Sequence, residues 1–272
     1  MYVACVRRGG SGGHSPIAVA LALGLLVAVG SALPSGAVSA NTTTTTKPVD
    51  YPSALVARLA KEYGDPVLAR KVVVGLDPGL LSQLEARVPL PEVARSPFLS
   101  YRPKRVAAGS VESVVVFAFG NRVGADGSLE PGPTNEKLAV ATKRFVRRNP
   151  VPVFAQQEIA ELLEAAGVKH VTSIDPIVGP DGKLVYLSTA GVAEQVLAKA
   201  HAAGVDLGTV GVIGFADHVV RCVLTAKAAG MTTAVPKGVV LPRTYDPESS
   251  QPWTRDRASY LATDLVGRLA SL

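Results

Sequence analysis

Residues 210–231 have the sequence VGVIGFADHVVRCVLTAKAAGM, and this stretch decides the fold class. Its first half is a short apolar run of the kind that forms a buried parallel strand. In its second half, apolar residues recur three and four positions apart, which is the spacing of one helix face, and the pattern stops at Gly230. A strand that leads directly into a helix is the repeating unit of an α/β protein.

The junction between this strand and helix carries three polar residues. We predict Asp217 as the N-cap, His218 in the first turn, and Arg221 on the same side of the helix. The positive end of a helix dipole disfavours a cation by about 0.3–1 kcal/mol, so a bound anion would relieve the conflict. The alternative is that Asp217 caps the helix, His218 is partly exposed, and Arg221 pairs with a carboxylate of the chain.

Four further apolar runs predict the remaining strands, at residues 113–119, 151–155, 170–175 and 232–235. Helical patterns lie between these runs, a closing helix is predicted around Leu261, Leu265 and Leu269, and two shorter helices are predicted at 53–62 and 80–88. Continuously apolar strands are buried on both faces, which indicates a mostly parallel sheet between two helix layers. The predicted fold is therefore a three-layer, Rossmann-like α/β sandwich.

The chain is divided by composition into four parts. Residues 1–40 have a positive start, an apolar middle and small residues before the next segment, which predicts a signal peptide or, alternatively, an N-terminal anchor. Residues 41–50 form a Thr-rich tether, residues 51–110 a helical and Pro-rich extension, and residues 111–272 the α/β domain. With either a signal or an anchor, we expect the protein to be exported and either secreted or attached to the cell envelope.

The His-x-x-Arg motif gives the chain a resemblance to a known family. In YdcF-like proteins of the bacterial envelope, a late strand leads into His, two residues and Arg, followed by a helix that ends in Gly, as at His218, Arg221 and Gly230. The resemblance covers about residues 111–270. It implies a role in cell-envelope integrity or wall-precursor metabolism, and a nucleotide-like ligand such as S-adenosylmethionine.

One strand-end loop departs from the family pattern. The family has Ser-Gly-Gly where this chain has Ala155, Gln156 and Gln157, and Glu158 aligns with a Glu of the family. Glycines allow backbone N–H groups to approach a phosphate closely, whereas two Gln side chains would obstruct that approach. A ligand shared with the family is therefore held differently here or is absent.

The predicted site lies where the strands end, because the carboxyl ends of parallel strands meet at one edge of a sheet. The catalytic candidates are His218, as a general acid or base, and Glu158, which would orient it. The ligand-binding candidates are Gly120, Asn121, Arg122, Gln156, Ser188, Asp217 and Arg221. Four His residues without ligand spacing predict no metal site.

The composition excludes other classes of protein. A net charge of +6 is mildly basic and dispersed, so nucleic acid is not predicted as a partner. The two cysteines, Cys5 and Cys222, exclude a disulfide scaffold, and we expect Cys222 to be a buried apolar residue. The basic residues Lys143, Arg144, Arg147 and Arg148 share one helix face, which either contacts membrane phosphates or is solvated.

Three functions fit these patterns. The first is an envelope protein with a cleft for a small anionic or nucleotide-like ligand, associated with the membrane or the cell wall. The second is a non-catalytic scaffold or binding module, which the missing Ser-Gly-Gly loop favours. The third is a hydrolase that acts on a phosphate or ester in wall precursors. The sequence does not predict the oligomeric state.

Overall fold

The structure is a computed structural model that describes residues 49–125, 127–179 and 184–270. The predicted signal peptide or anchor, and most of the predicted tether, lie outside the described residues. Within the described ranges, no helix is long and apolar enough to cross a membrane. The described residues belong to one unit by their internal contacts.

Ten strands are present in the described residues. They are β1 (Arg105–Val106), β2 (Ser113–Val116), β3 (Arg122–Val123), β4 (Leu129–Glu130), β5 (Val153–Gln156), β6 (Val171–Ile174), β7 (Ile177–Val178), β8 (Leu184–Val185), β9 (Thr209–Ile213) and β10 (Thr232–Pro236). Six of them form one sheet in the order β1-β10-β9-β2-β5-β6, and all of its pairings are parallel. The others form two antiparallel hairpins, β3–β4 and β7–β8.

Eight α-helices accompany the strands in the same part of the chain. They are α1 (Tyr51–Tyr63), α2 (Pro66–Val74), α3 (Pro78–Arg87), α4 (Gly132–Val146), α5 (Gln157–Ala165), α6 (Thr189–Ala202), α7 (Val219–Ala228) and α8 (Arg257–Ala270). α4 packs against α5, whereas α6 packs against α7, which also contacts α8. Right-handed crossovers place α4 and α5 on one face of the sheet and α6 and α7 on the other, because the strand order reverses at β2.

The sheet core is apolar on both faces, as the sequence predicts. Every residue of β2 and β5 is buried. The five predicted strands and the helices between them are confirmed, with ends that shift by a few residues. The described chain is therefore an α/β protein with a six-stranded parallel sheet, compatible with a Rossmann-like sandwich.

A second core joins the N-terminal helices to the last one. Leu55, Leu59 and Leu84 from α1 and α3 are fully buried in one cluster with Leu261 and Leu265 of α8. The helices α1, α2 and α3 each follow an Asp whose side chain accepts a hydrogen bond from a backbone N–H. A Pro stands directly after that Asp or one residue later, in the first turn of the helix. α8 therefore contacts both the sheet domain, through α7, and the N-terminal helices.

Candidate functional site

The strand order reverses beside β2, and the crevice there is where open α/β sheets bind ligands. From β2 the chain continues through β5 and β6 on one side, then returns to β9 and β10 on the other. The loop after β2, residues 117–121, and the loop after β9, residues 214–218, therefore border this crevice at the carboxyl edge of the sheet.

Aromatic side chains of the protein itself fill the crevice. Phe119 stacks on Phe215 with ring centroids 4.0 Å apart, and Tyr260 of α8 meets Phe119 edge-on at 4.6 Å. Tyr245 packs on Phe215 at 4.7 Å, and His218 lies 5.8 Å from Tyr260. Such aromatic pairs add about 0.5–1.5 kcal/mol each beyond their burial, so this cluster holds the two loops together.

His218 and Arg221 lie together, as predicted, and the chain itself supplies a carboxylate for Arg221. Nε of Arg221 donates to Nδ1 of His218 over 3.3 Å and lies 3.3 Å from a carboxylate oxygen of Asp264 in α8. Nη2 of Arg221 donates to the hydroxyl of Tyr260 over 3.2 Å. A Cβ at position 267 would overlap the guanidinium, so Gly267 gives Arg221 room against α8. Of the alternative interpretation, the pairing of Arg221 with an internal carboxylate is the part that is confirmed.

His218 is only 5% exposed. The interpretation in which His218 is partly exposed is therefore wrong. Burial lowers its pKa well below the usual value, and the positive charges of Arg221 and Arg268 lower it further. A neutral ring agrees with Nδ1 acting as an acceptor. His218 is therefore a weak base near neutral pH.

Asp264 also anchors a second buried guanidinium. Nε of Arg268 donates to Oδ2 of Asp264 over 2.7 Å, and the two side chains are 1% and 0% exposed. Nη1 of Arg268 donates to the carbonyl oxygens of Phe98 and Ser100 at 3.0 and 2.7 Å. This network connects the segment before β1 with α7 and α8.

Asp217 does not cap α7, so that prediction is wrong. The N-cap is His218, and its side chain makes no capping hydrogen bond. The carboxylate of Asp217 instead accepts two hydrogen bonds from Arg257, at 2.8 and 3.1 Å, and one from Tyr245 at 2.8 Å. The aspartate is drawn away from the helix because a bidentate guanidinium is a stronger partner than one backbone N–H.

Arg122 is likewise paired within the chain. Its guanidinium donates to both oxygens of Asp246 over 2.8 Å and contacts Glu248 at 2.7 Å. Arg122, Arg221 and Arg257 thus each have an internal carboxylate, and this reduces their attraction for an external anion.

The loop before α8 packs directly on Gly120. Gly120 has φ +69, and a Cβ there would lie 2.6 Å from Oγ of Ser249 and 2.7 Å from Oγ1 of Thr254. The carbonyl of Asn121 accepts a hydrogen bond from N–H of Ser250 over 2.7 Å, and the side chains of the two residues are also bonded. Gly120, predicted as a ligand-binding residue, is thus approached closely by side chains of the protein itself.

The side chains of Gln156 and Asn135 accept hydrogen bonds from the backbone N–H groups that follow β2. Oε1 of Gln156 accepts from N–H of Ala118, and Oδ1 of Asn135 accepts from N–H of Phe119, both over 2.8 Å. α4 begins at Gly132, and Thr134 and Asn135 are both buried inside it. The N–H groups of Ala118 and Phe119 are therefore already bonded within the chain and are not available to a ligand.

Glu158 lies in the first turn of α5 and is only 3% exposed. Burial raises the pKa of its carboxyl, although its own backbone N–H, Tyr186 and Asn121 act in the opposite direction. The hydroxyl of Tyr186 lies near this carboxyl and near the amide of Gln156. Yet Oε1 of Glu158 and the hydroxyl of Tyr186 are both buried without a hydrogen bond of ordinary geometry.

The predicted site residues thus divide into two groups, one on either side of β2. Asn121, Gln156 and Glu158 lie on the β5 side, and we call them, together with Tyr186, the Glu158 cluster. Asp217, His218 and Arg221 follow β9 on the other side, and no hydrogen bond in the described residues joins Glu158 to His218. Ser188, predicted as a ligand-binding residue, is exposed and caps α6 by accepting from N–H of Gly191.

Two predictions concern metals and the cysteine. The described residues contain no group of three or more His, Cys, Asp or Glu that could hold a metal. Cys222 is fully buried, and burial raises the pKa of its thiol well above the usual value. The expectation that Cys222 is a buried apolar residue is confirmed.

Comparisons with known proteins give no relative. No family model matches the chain, and neither a curated protein nor a solved structure matches it. The resemblance to YdcF-like proteins therefore stays a prediction from the sequence.

Proposed function

We propose that the protein is an exported, YdcF-like binding protein of the cell envelope, with a three-layer Rossmann-like sandwich and a small-molecule site at the Glu158 cluster. The observation that carries this proposal is a pair of buried polar atoms, Oε1 of Glu158 and the hydroxyl of Tyr186, neither of which makes a hydrogen bond of ordinary geometry. Buried polar groups in proteins nearly always make good hydrogen bonds, so two neighbouring ones that do not support a ligand that completes them.

The chemistry of the cluster selects the kind of ligand. A carboxylate accepts hydrogen bonds, and a phenol both donates and accepts them, so the pair suits the hydroxyl or amino groups of a ligand. Acidic side chains near the second strand of Rossmann-type folds bind ribose hydroxyls in this way. Glu158 follows β5, which pairs with the first strand of the domain, β2. A nucleoside-bearing ligand, with S-adenosylmethionine as one example, satisfies this pattern.

The geometry favours binding without acid–base catalysis by His218. The imidazole is buried, held neutral and bonded to Arg221, and the aromatic cluster covers it. Because Arg122, Arg221 and Arg257 already have internal carboxylates, we propose that the ligand is recognised through its hydroxyl groups rather than its negative charge.

Ligand screening by thermal shift and calorimetry tests this proposal with the full chain. The panel contains S-adenosylmethionine, adenosine, uridine diphosphate and inorganic phosphate. We expect at least one nucleoside-bearing compound to raise the melting temperature, and inorganic phosphate to have no effect. Tyr186→Phe and Glu158→Gln should each weaken binding by about tenfold or more, because each removes a buried hydrogen-bonding group.

Glu164→Gln is the matched control, because Glu164 is an exposed carboxylate of the same helix. It should bind the ligand as tightly as the unmodified chain. The proposal is wrong if no nucleoside-bearing compound binds, or if Glu158→Gln and Tyr186→Phe bind with unchanged affinity.

A further inference from the structure

A cavity of about 620 Å³ lies at the opposite edge of the sheet from the Glu158 cluster. It is bordered by the end of α4, by the residues that lead into β5, and by residues 166–170, which lead into β6. This volume is within the range of small-molecule pockets in proteins, about 300–1,000 Å³. We call it the amino-edge cleft.

The floor of the amino-edge cleft is apolar. Val146 at the end of α4 is buried, and Val151 and Val168 are partly buried in the main core. Pro150 and Pro152 complete this surface, and proline has no backbone N–H to offer a ligand. The floor therefore suits a hydrocarbon group.

The rim of the cleft carries only positive charge. Lys143, Arg147 and Lys169 are exposed and border the cavity together with His170, and no acidic residue lines it. None of the three cations forms an ion pair with another described residue. This differs from the carboxyl edge, where each discussed guanidinium has its own carboxylate.

The end of α4 favours cations by itself, because the helix dipole is negative there. That effect accounts for Lys143 and Arg147, but not for Lys169, which lies on the segment between α5 and β6. It also does not account for an apolar cavity enclosed between the two groups of cations. A ligand with a negative head and an apolar tail would satisfy both features.

We propose that the amino-edge cleft binds an anionic amphiphile, that is, a phosphate or carboxylate carrying a hydrocarbon chain. The head group pairs with Lys143, Arg147 and Lys169, and the chain lies against Val146, Val151 and Val168. Such a ligand comes either as a free amphiphile or as the anionic lipid of a bilayer. The proposal does not depend on the function proposed for the Glu158 cluster, because the two sites lie at opposite edges of the sheet.

Calorimetry with octyl phosphate, below the concentration at which it forms micelles, tests the proposal on the full chain. Inorganic phosphate represents the head alone, and octyl glucoside represents an uncharged head on the same tail. We expect saturable binding of octyl phosphate, at least about tenfold tighter than that of either control compound. Equal binding of octyl phosphate and octyl glucoside, or of octyl phosphate and inorganic phosphate, would overturn the proposal.

Variants locate the site. The double variant Arg147→Gln with Lys169→Gln should weaken octyl phosphate binding by about tenfold or more, since it removes two charge-assisted contacts. Arg148→Gln is the matched control, because Arg148 is an exposed neighbour that does not line this cleft. All three residues named here are exposed, so circular dichroism should show an unchanged fold. Unchanged binding by the double variant would also overturn the proposal.

Vesicles distinguish the two sources of the ligand. The cleft binds a bilayer lipid if the protein floats with phosphatidylglycerol vesicles but not with phosphatidylcholine vesicles, and if the double variant no longer floats. Binding of octyl phosphate without flotation on either vesicle assigns it to a free amphiphile. If both assays are negative, the proposal is wrong.

Discussion

Arg221 in α7 contacts His218 and Asp264 through the same nitrogen, at 3.3 Å in each case. The carboxylate of Asp264 is fully buried and also holds Arg268. A charge buried without its partner costs far more than the pair contributes. The stability of the region between α7 and α8 therefore depends on the charge of Asp264.

We expect Asp264→Asn to lower the free energy of unfolding by about 3–5 kcal/mol, because it leaves two buried guanidiniums without a counter-charge. Urea denaturation followed by circular dichroism measures this loss. Glu164→Gln, at an exposed carboxylate, is the control and should change stability by less than about 0.5 kcal/mol. A loss below about 1 kcal/mol for Asp264→Asn would show that the network contributes little.

His218 should make the protein less stable in mild acid. Its pKa is lowered in the folded state, so the unfolded chain binds a proton more readily below about pH 6.5. The contribution of His218 to the free energy of unfolding is therefore fully present above pH 6.5. It is lost as the pH falls toward the pKa of His218 in the folded protein. Denaturation between pH 5 and 8 should show a shallower slope in His218→Gln, which keeps an acceptor for Arg221.

His201→Gln is the control for that titration, because His201 is exposed near the end of α6. The free energy of unfolding of His201→Gln should change with pH as steeply as that of the unmodified chain. If His218→Gln and the unmodified chain lose stability in parallel below pH 6.5, the imidazole is not the group responsible.

Glu158 should have the opposite pH dependence. Its pKa is raised in the folded state, so the folded chain retains the proton longer than the unfolded chain does. The contribution of this group is most favourable below about pH 4.5 and declines as the pH rises through the folded pKa. At neutral pH, Glu158→Gln should therefore stabilise the ligand-free chain by about 1 kcal/mol or more, measured by urea denaturation. A less stable variant would contradict this expectation.

Gly120→Ala should be strongly destabilising, by about 2–4 kcal/mol. The left-handed backbone costs about 1–2 kcal/mol with a Cβ, and the new atom would also displace Ser249 and Thr254. Gly64→Ala is a matched control, because Gly64 has φ +67 and no atom within 4 Å of its Cβ position. The difference between the two losses measures the contact between the loop before α8 and the end of β2. Equal losses would mean that this contact is absent.

The strand-and-helix alternation was predictable because it depends on local apolar patterns. The run at residues 113–119 shows what an apolar pattern cannot predict. All seven positions are buried, but β2 ends at Val116, and Phe117 and Phe119 leave the sheet to pack around His218. An apolar pattern records burial, and it does not distinguish a strand residue from one that fills a crevice.

The charged network could have been found from a signal in the closing helix. Tyr260, Leu261, Asp264, Leu265 and Arg268 all lie on the buried face of α8, at spacings of one, three and four. A carboxylate and a guanidinium four residues apart on an apolar face indicate a buried pair. The contact of Asp264 with Arg221 could not be predicted, because it depends on how α8 crosses α7. Tyr186 was missed because it follows β8, which belongs to a two-stranded hairpin and not to the main sheet.

The position of α8 has a consequence for the order in which the protein folds. Helices α1–α3 bury their leucines against Leu261 and Leu265, which are made only after the whole sheet domain. Because the chain is synthesised from its N-terminus, this apolar surface stays exposed to water until late in synthesis. Among the described helices, the first to be translated are thus the last to reach their final packing, and in that interval they are a natural target for a chaperone.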